Sequence, residues 1–248
     1  MSVASEILPQ QSATPIAPLQ NVVLMWQALD GAMNRPEHLP GMVAVYGPSG
    51  VGKSMAAAWS ANKSRAYYVE LRSTWTKKAM IEALAREMGM PPARTIYQGV
   101  DQIAEQLALS GRPLIVDEAD YLVKKSNVEM IRDIYESSHG TILLIGEENL
   151  PQKLGRWERF HNRILDWVPA QLCSLDDAQA MAAAYERVRI ELDLLEEVLR
   201  QSHGITRRVA VNLHKIASVA RTEGWDSIDR ARWGKRGFYT GQAPVRGR

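Results

Sequence analysis

Cysteine is nearly absent from this 248-residue chain: Cys173 stands alone, so no intramolecular disulfide can form and a disulfide-stapled secreted scaffold is excluded. One thiol fits a reducing cytoplasm, and Cys173 reads as a small buried side chain. Long apolar runs are missing too, since none approaches the roughly 18–20 residues that a membrane span needs. The first nineteen residues are rich in Pro, Gln, Ser and Ala and lack the charged-then-apolar layout of a signal peptide. The five histidines (His38, His139, His161, His203, His214) show no metal-ligand spacing, alone or with Cys173. No Ser/His/Asp or Cys/His nucleophile constellation is evident either. Charge is close to balanced at a formal +2, with 46% hydrophobic and 23% charged residues. That is the make-up of an ordinary soluble globular protein, long enough for one sizeable α/β core and a small accessory domain.

What the chain does contain is an apolar run, Val43 to Tyr46, leading into Gly47-Pro48-Ser49-Gly50-Val51-Gly52-Lys53-Ser54. A helix-forming segment follows at once. Glycines at these positions let backbone N–H groups turn inward around a polyphosphate, and the next helix aims its positive end at the same anion. Lys53 is placed to reach the β- and γ-phosphates, and the Ser54 hydroxyl to ligate Mg²⁺. The strand–loop–helix setting gives the pattern its meaning: the segment binds a nucleoside triphosphate.

A second motif points to hydrolysis. Pro113-Leu114-Ile115-Val116-Asp117-Glu118-Ala119-Asp120 reads as a strand buried on both faces that ends in adjacent carboxylates. In a parallel sheet, ligands gather at the carboxyl ends of strands. Asp117 suits the outer shell of Mg²⁺, and Glu118 suits orienting and deprotonating an attacking water. Asp120 is expected to cap the next segment.

Periodicity organises the rest. A leading helix over 21–33 is expected to pack near the nucleotide base. The spacing predicts strands at 43–46, 66–71, 114–117 and 141–145, and helices at 54–61, 76–88, 99–109 and 128–137. Strands alternating with helices imply a parallel, doubly wound sheet. Beyond about residue 170 the pattern is helical only, over 176–189, 193–203 and 206–221. The expected divisions are a leader over 1–19, an α/β nucleotide-binding domain over 20–170, a helical lid over 171–223 and a basic tail over 224–248.

In this arrangement the chain resembles AAA+ ATPases, and among them the transposition-regulator group of the phage Mu B protein and the TnsC-type and TniB-type proteins. The likeness runs from about residue 21 to 222. It is carried by GPSGVGKS at 47–54, LIVDEAD at 114–120, TILLIG at 141–146, GRWERFHNR at 155–163 and GITRRV at 204–209. The resemblance implies the fold class just described: a P-loop AAA+ parallel sheet flanked by helices, then a small all-helical lid. It also implies ATP and Mg²⁺ as cofactors and a bacterial or phage-infected host cytoplasm.

Several roles follow from the resemblance alone. A polar residue after the fourth strand places the attacking water. Here Asn149 serves, or Glu147 acts on a water, or the role is weakened. An arginine finger supplied to the neighbouring subunit would come from Arg163, then Arg159, with Arg156 on the same helical face. Arg207 matches the lid arginine that touches phosphates in cis. A finger supplied in trans implies a homo-oligomer, either a ring or a helical filament. The group further implies double-stranded DNA as a partner, gripped through Thr76, Lys77 and Lys78 at a helix start, and delivery of that DNA to a transposase. Phosphate contacts of this kind are largely sequence-neutral. The leader is too short for the N-terminal DNA-binding domain that the Mu B protein carries.

Charge placement bears on partners as well. Six basic residues (Arg230, Arg232, Lys235, Arg236, Arg246, Arg248) and no acidic one lie from position 230 onward, and taking them from the formal +2 leaves −4 for the remainder. Such a tail contacts DNA, an acidic protein, or only solvent. Two rival functions keep the same core: a replication initiator or helicase loader, and a DNA-independent scaffold or signalling ATPase.

Overall fold

The computed structural model describes residues 19–124 and 127–242. The chain begins with α1 (Gln20–Met33), β1 (Met42–Tyr46), α2 (Lys53–Ser64), β2 (Tyr67–Glu70), α3 (Lys77–Glu87) and α4 (Ile96–Ser110). It continues with β3 (Leu114–Asp117), α5 (Asp120–Lys124), α6 (Val128–Ser138), β4 (Ile142–Gly146), α7 (Leu150–Leu154), α8 (Glu158–His161) and β5 (Ile164–Pro169). A second unit holds α9 (Leu175–Tyr185), β6 (Arg189–Ile190), α10 (Leu192–Ser202), α11 (Thr206–Thr222), β7 (Ser227–Ile228) and α12 (Arg230–Trp233). No helix among the described residues is long and apolar enough to cross a membrane.

The five long strands form one parallel sheet in the order β2-β3-β4-β1-β5. Both of its faces are covered, which is why β1, β3 and β4 read as unbroken apolar runs. Val43, Val45, Ile115, Leu143 and Ile145 face the layer built from α1, α2 and the second unit. Met42, Ala44, Leu114, Val116, Ile142 and Leu144 face α3, α4 and α6. This alternation matters for chemistry. Asp117 shares the parity of Ile115, which places its carboxylate on the α2 side of the sheet.

Helix ends follow local chemistry. The Thr76 hydroxyl accepts from the Ala79 N–H at 3.2 Å, and Ser174 and Asp177 cap α9 reciprocally. Gly111 ends α4 in the left-handed region at φ 63°. Cys173 is buried as expected, and burial pushes its thiol up to about 12.

Three expectations need correction. A fifth strand, β5, follows the Arg-rich segment. It is an edge strand, only half-buried, with Asp166 and Pro169 in it and a register shift against Met42 and Val43 that leaves Leu165 as an extra residue. The arginines do not share a helical face. α8 spans four residues, Arg156 precedes it and Arg163 follows it, because the chain turns at Gly155 and Trp157. The second unit is not purely helical, since β6 and β7 pair in parallel.

The expected basic tail is also different in kind. Trp233 is fully buried on the lid, and Asn212 of α11 clasps the backbone of Tyr239. The Asn212 Oδ1 accepts from the Tyr239 N–H at 2.7 Å, and its Nδ2 donates to the Tyr239 carbonyl at 3.0 Å. The Arg232 guanidinium donates to Ser227 O at 2.7 Å, Arg236 to Trp233 O at 3.0 Å and Lys215 to Gly237 O at 2.8 Å. These cations fold residues 225–239 into a strap behind α11. Residues 1–18 of the leader, and Arg246 and Arg248, lie outside the described residues.

Candidate functional site

The loop from β1 to α2 sits at the carboxyl edge of the sheet. β4 lies between β1 and β3, with Tyr46 opposite Gly146, so the ends of three strands meet there. Gly50 and Gly52 take φ values of 85° and 96°, which a side chain would strain. Val51 is buried beneath the loop. The Lys53 ammonium donates to the carbonyls of Gly47 at 2.7 Å and Pro48 at 2.8 Å. Burial lowers its pKa, against the opposing pull of Asp117, Glu118, Asp120 and Glu147.

At the end of β3, Asp117 is 3% exposed and both of its oxygens are engaged. Oδ1 accepts from the Glu118 N–H at 2.8 Å and Oδ2 from the Tyr68 hydroxyl at 2.8 Å. Glu118 is held at φ 56°, a left-handed conformation that costs a non-glycine residue energy and turns its side chain out of the strand path. Its carboxyl is held above the ordinary range by burial first, then by Asp117, Asp120, Glu147 and Glu70.

Asp120 opens α5, but its carboxylate braces strand ends where a helix cap was expected. It accepts from the Glu147 N–H at 2.6 Å and from the Lys153 ammonium at 2.5 Å, tying β3 to the end of β4. A side chain at Gly146 would collide with it.

The lid closes the other side. The Thr206 hydroxyl donates to Val51 O at 3.1 Å, and the Arg207 N–H to Gly50 O at 2.8 Å. Asn21 staples the same loop from α1. Its Nδ2 donates to Val51 O and to Gln171 O, both at 2.8 Å, and its Oδ1 accepts from the Gln171 N–H at 2.8 Å. The cleft enclosed in this way holds about 390 Å³, a volume in the range of small-ligand sites. Its charged end carries Lys53, Asp117, Glu118, Glu147 and Arg207, and its apolar end Met55, Met181, Tyr185 and Ala210.

The structure therefore brings together Ser49, Gly50, Gly52, Lys53, Ser54, Asp117, Glu118 and Arg207 around one cavity, with Gly47 and Pro48 supporting the lysine. Asn149 is not part of it. That residue is exposed at the start of α7, and Glu147 is the post-strand side chain on the wall. Arg156, Arg159 and Arg163 are also outside the cleft. Arg163 is ion-paired with Glu136, whereas Arg156 and Arg159 are exposed with no hydrogen-bond or ion-pair partner among the described residues. Thr76, Lys77 and Lys78 are exposed at the start of α3, with Lys78 3.8 Å from Glu82. They lie beyond the carboxyl end of β2, on the cleft's edge of the sheet.

No group of three or more His, Cys, Asp or Glu side chains among the described residues could hold a metal by itself. The donor set in the cleft, the Ser54 hydroxyl and the Asp117 carboxylate, fits Mg²⁺ of the kind that takes its remaining ligands from phosphate and water. Sequence reasoning missed Tyr68, Asn21, Thr206 and the apolar wall. Each reaches the site across a distance in sequence that no local period encodes.

Comparison with known proteins agrees with this architecture. The AAA domain family pattern matches residues 37–154. No curated protein sequence matched the chain. Among solved structures, the Aeropyrum pernix ORC2 protein in its ADPNP–ADP complexes superposes with a TM-score of 0.67 at 14% identity, covering 86% of this chain and 65% of that one. The Aeropyrum pernix ORC1 protein in complex with DNA gives 0.59 at 16% identity over 91% and 64% of the two chains. The Thermotoga maritima RuvB Holliday junction branch migration motor gives 0.58 at 18% identity over 86% and 66%. The chain thus spans just under two thirds of each of these proteins. The fold is a P-loop AAA+ α/β domain with a following helical unit.

Proposed function

We propose that this chain is a Mg²⁺-dependent ATPase that works as an assembly on double-stranded DNA. The observation that carries the ATPase reading is the convergence of Lys53, Ser54, Asp117, Glu118 and Arg207 on one cleft with an apolar far end. In this reading the loop N–H groups and Lys53 hold the phosphates, and Ser54 and Asp117 hold the metal. Glu118 takes a proton from the attacking water. A carboxylate whose pKa is raised by burial is the better proton acceptor. Arg207 steadies the phosphates from the lid. Glu147 occupies the water-positioning place offered to Asn149, and it acts through a water because its own charge repels phosphate.

Completion by a neighbouring subunit falls to Arg159 or Arg156. Both are free to reach outward, while Arg163 would first have to leave Glu136. DNA contact is assigned to Thr76, Lys77 and Lys78 at the α3 N-terminus, where a helix start, a hydroxyl and two ammonium groups suit phosphate.

Two roles fit such an assembly. The motif resemblance favours delivery of target DNA to a transposase. The likeness to the ORC proteins, one of them solved with DNA, favours a replication-initiator or loader role equally. Electron microscopy with duplex DNA under no nucleotide, ADP and a slowly hydrolysed ATP analogue tests the shared core of the proposal. Filaments or rings on DNA with the analogue alone are expected. Nucleotide-dependent assemblies that ignore DNA would leave only the scaffold ATPase. Stimulation of strand transfer or of helicase loading by the assembled protein then separates the two roles.

A further inference from the structure

The Tyr68 hydroxyl points at the one carboxylate in the cleft that is almost wholly buried. We infer that Tyr68 is a positioning residue that fixes the Asp117 carboxylate for its metal; the inference rests on the nucleotide-site reading above. Tyr68 stands on β2, opposite Ile115 of β3, and Asp117 is two residues further along. Two residues of strand advance about 6.6 Å, close to the reach of a tyrosine, so the side chain runs forward along its neighbour and ends on Oδ2 at 2.8 Å.

A structural explanation for that hydroxyl is weak. Tyr68 also lines an open surface cleft with Asn62, Arg65, Glu87 and Arg112, but its hydroxyl bonds to Asp117. Only the contact to Asp117 requires the oxygen. Among the described residues the carboxylate in turn has two donors, the Glu118 N–H on Oδ1 and Tyr68 on Oδ2. One donor per oxygen pins the plane of the group, and a carboxylate still has lone pairs to spare for a cation. With the phenol removed, one oxygen of a 3%-exposed carboxylate loses its donor and the group can turn about its Cβ–Cγ bond.

The test is Tyr68→Phe in the full chain beside Asp117→Asn, with two titrations. The first follows a fluorescent ATP analogue in excess EDTA and reports metal-free nucleotide affinity. The second follows Mn²⁺ binding to the protein–nucleotide complex by electron paramagnetic resonance. We expect Tyr68→Phe to leave the first unchanged and to weaken Mn²⁺ binding on the order of 10- to 100-fold, the worth of one hydrogen bond to a charged group. Asp117→Asn should weaken Mn²⁺ binding further.

If Tyr68→Phe matches the native Mn²⁺ titration while Asp117→Asn does not, the positioning role is wrong and the site reading stands. If both titrations fall together in Tyr68→Phe, the residue only supports the cleft and the inference is likewise overturned. If Asp117→Asn binds Mn²⁺ as the native chain does, the metal assignment fails and takes the Tyr68 role with it.

Discussion

The two ends of the cleft are built in opposite ways. At the phosphate end nearly everything comes from short consecutive stretches, 47–54 and 117–118, and the groups that face a ligand are backbone amides and side chains fixed by their own strand. The apolar lining instead combines Met55 with Met181, Tyr185 and Ala210, residues that lie more than a hundred positions away and belong to another unit. Polar links tie the two at the phosphate loop: Thr206 and Arg207 bond to the carbonyls of Val51 and Gly50, and Asn21 shares Val51. Chemistry is thus specified locally, whereas fit and closure depend on how the second unit docks.

Four substitutions sharpen or break that contrast. Lys53→Ala removes the ammonium that lines the cleft among the described residues and should weaken nucleotide binding on the order of 100-fold or more, as expected for deleting one partner of a desolvated charge pair; near-native affinity in a fluorescent ATP titration would sink the local half of the argument. Glu118→Gln should bind ATP normally and lose about 10²- to 10⁴-fold in turnover. Its pH profile carries a second expectation. The working form is the ionised carboxylate, and its pKa is raised, so native activity should fall on acidification at a higher pH than an ordinary carboxylate would give. That limb should vanish in the glutamine variant.

Thr206→Val should cost about 0.5–1.5 kcal/mol in thermal or denaturant unfolding, because the Val51 carbonyl loses one of two side-chain donors and keeps Asn21. A matching loss of nucleotide affinity would show that docking and binding are coupled. Tyr185→Ala should have the smallest effect: if the proposed ATP site puts the base or sugar against this ring, the loss is roughly 5-fold on ATP affinity, an aromatic contact of about 1 kcal/mol, and none on inorganic triphosphate. Equal losses for both ligands would mean that the apolar end also shapes the phosphate end.

Legibility in the sequence follows the same division. The phosphate loop and the Asp117-Glu118 pair were readable because residues fixed in order carry the chemistry, and four strands and their helices because buried runs and helical periods are local. β5 escaped because an edge strand is covered on one side less well and tolerates Asp166 and Pro169. β6, β7 and α12 are too short to show any period. The arginine spacings of three and four imitate a helix that the turns at Gly155 and Trp157 interrupt. Glu147 lines the cleft and Asn149 does not, because Asp120 holds the Glu147 amide where the chain leaves β4. Tyr68 could not be seen at all without knowing that β2 lies beside β3 and in what register.

The Asn212 clasp has a mechanical consequence. α11 carries Arg207 at its first turn and is gripped along its length by the strap that Trp233 anchors. Bending or sliding that helix would have to unseat a buried indole and break a paired amide, so α11 behaves as a stiff lever whose far end is bolted down. Amide hydrogen exchange should read this directly: Trp233→Ala should speed exchange along α11 up to the turn that meets Gly50, and so carry a defect at the back of the lid into the phosphate loop.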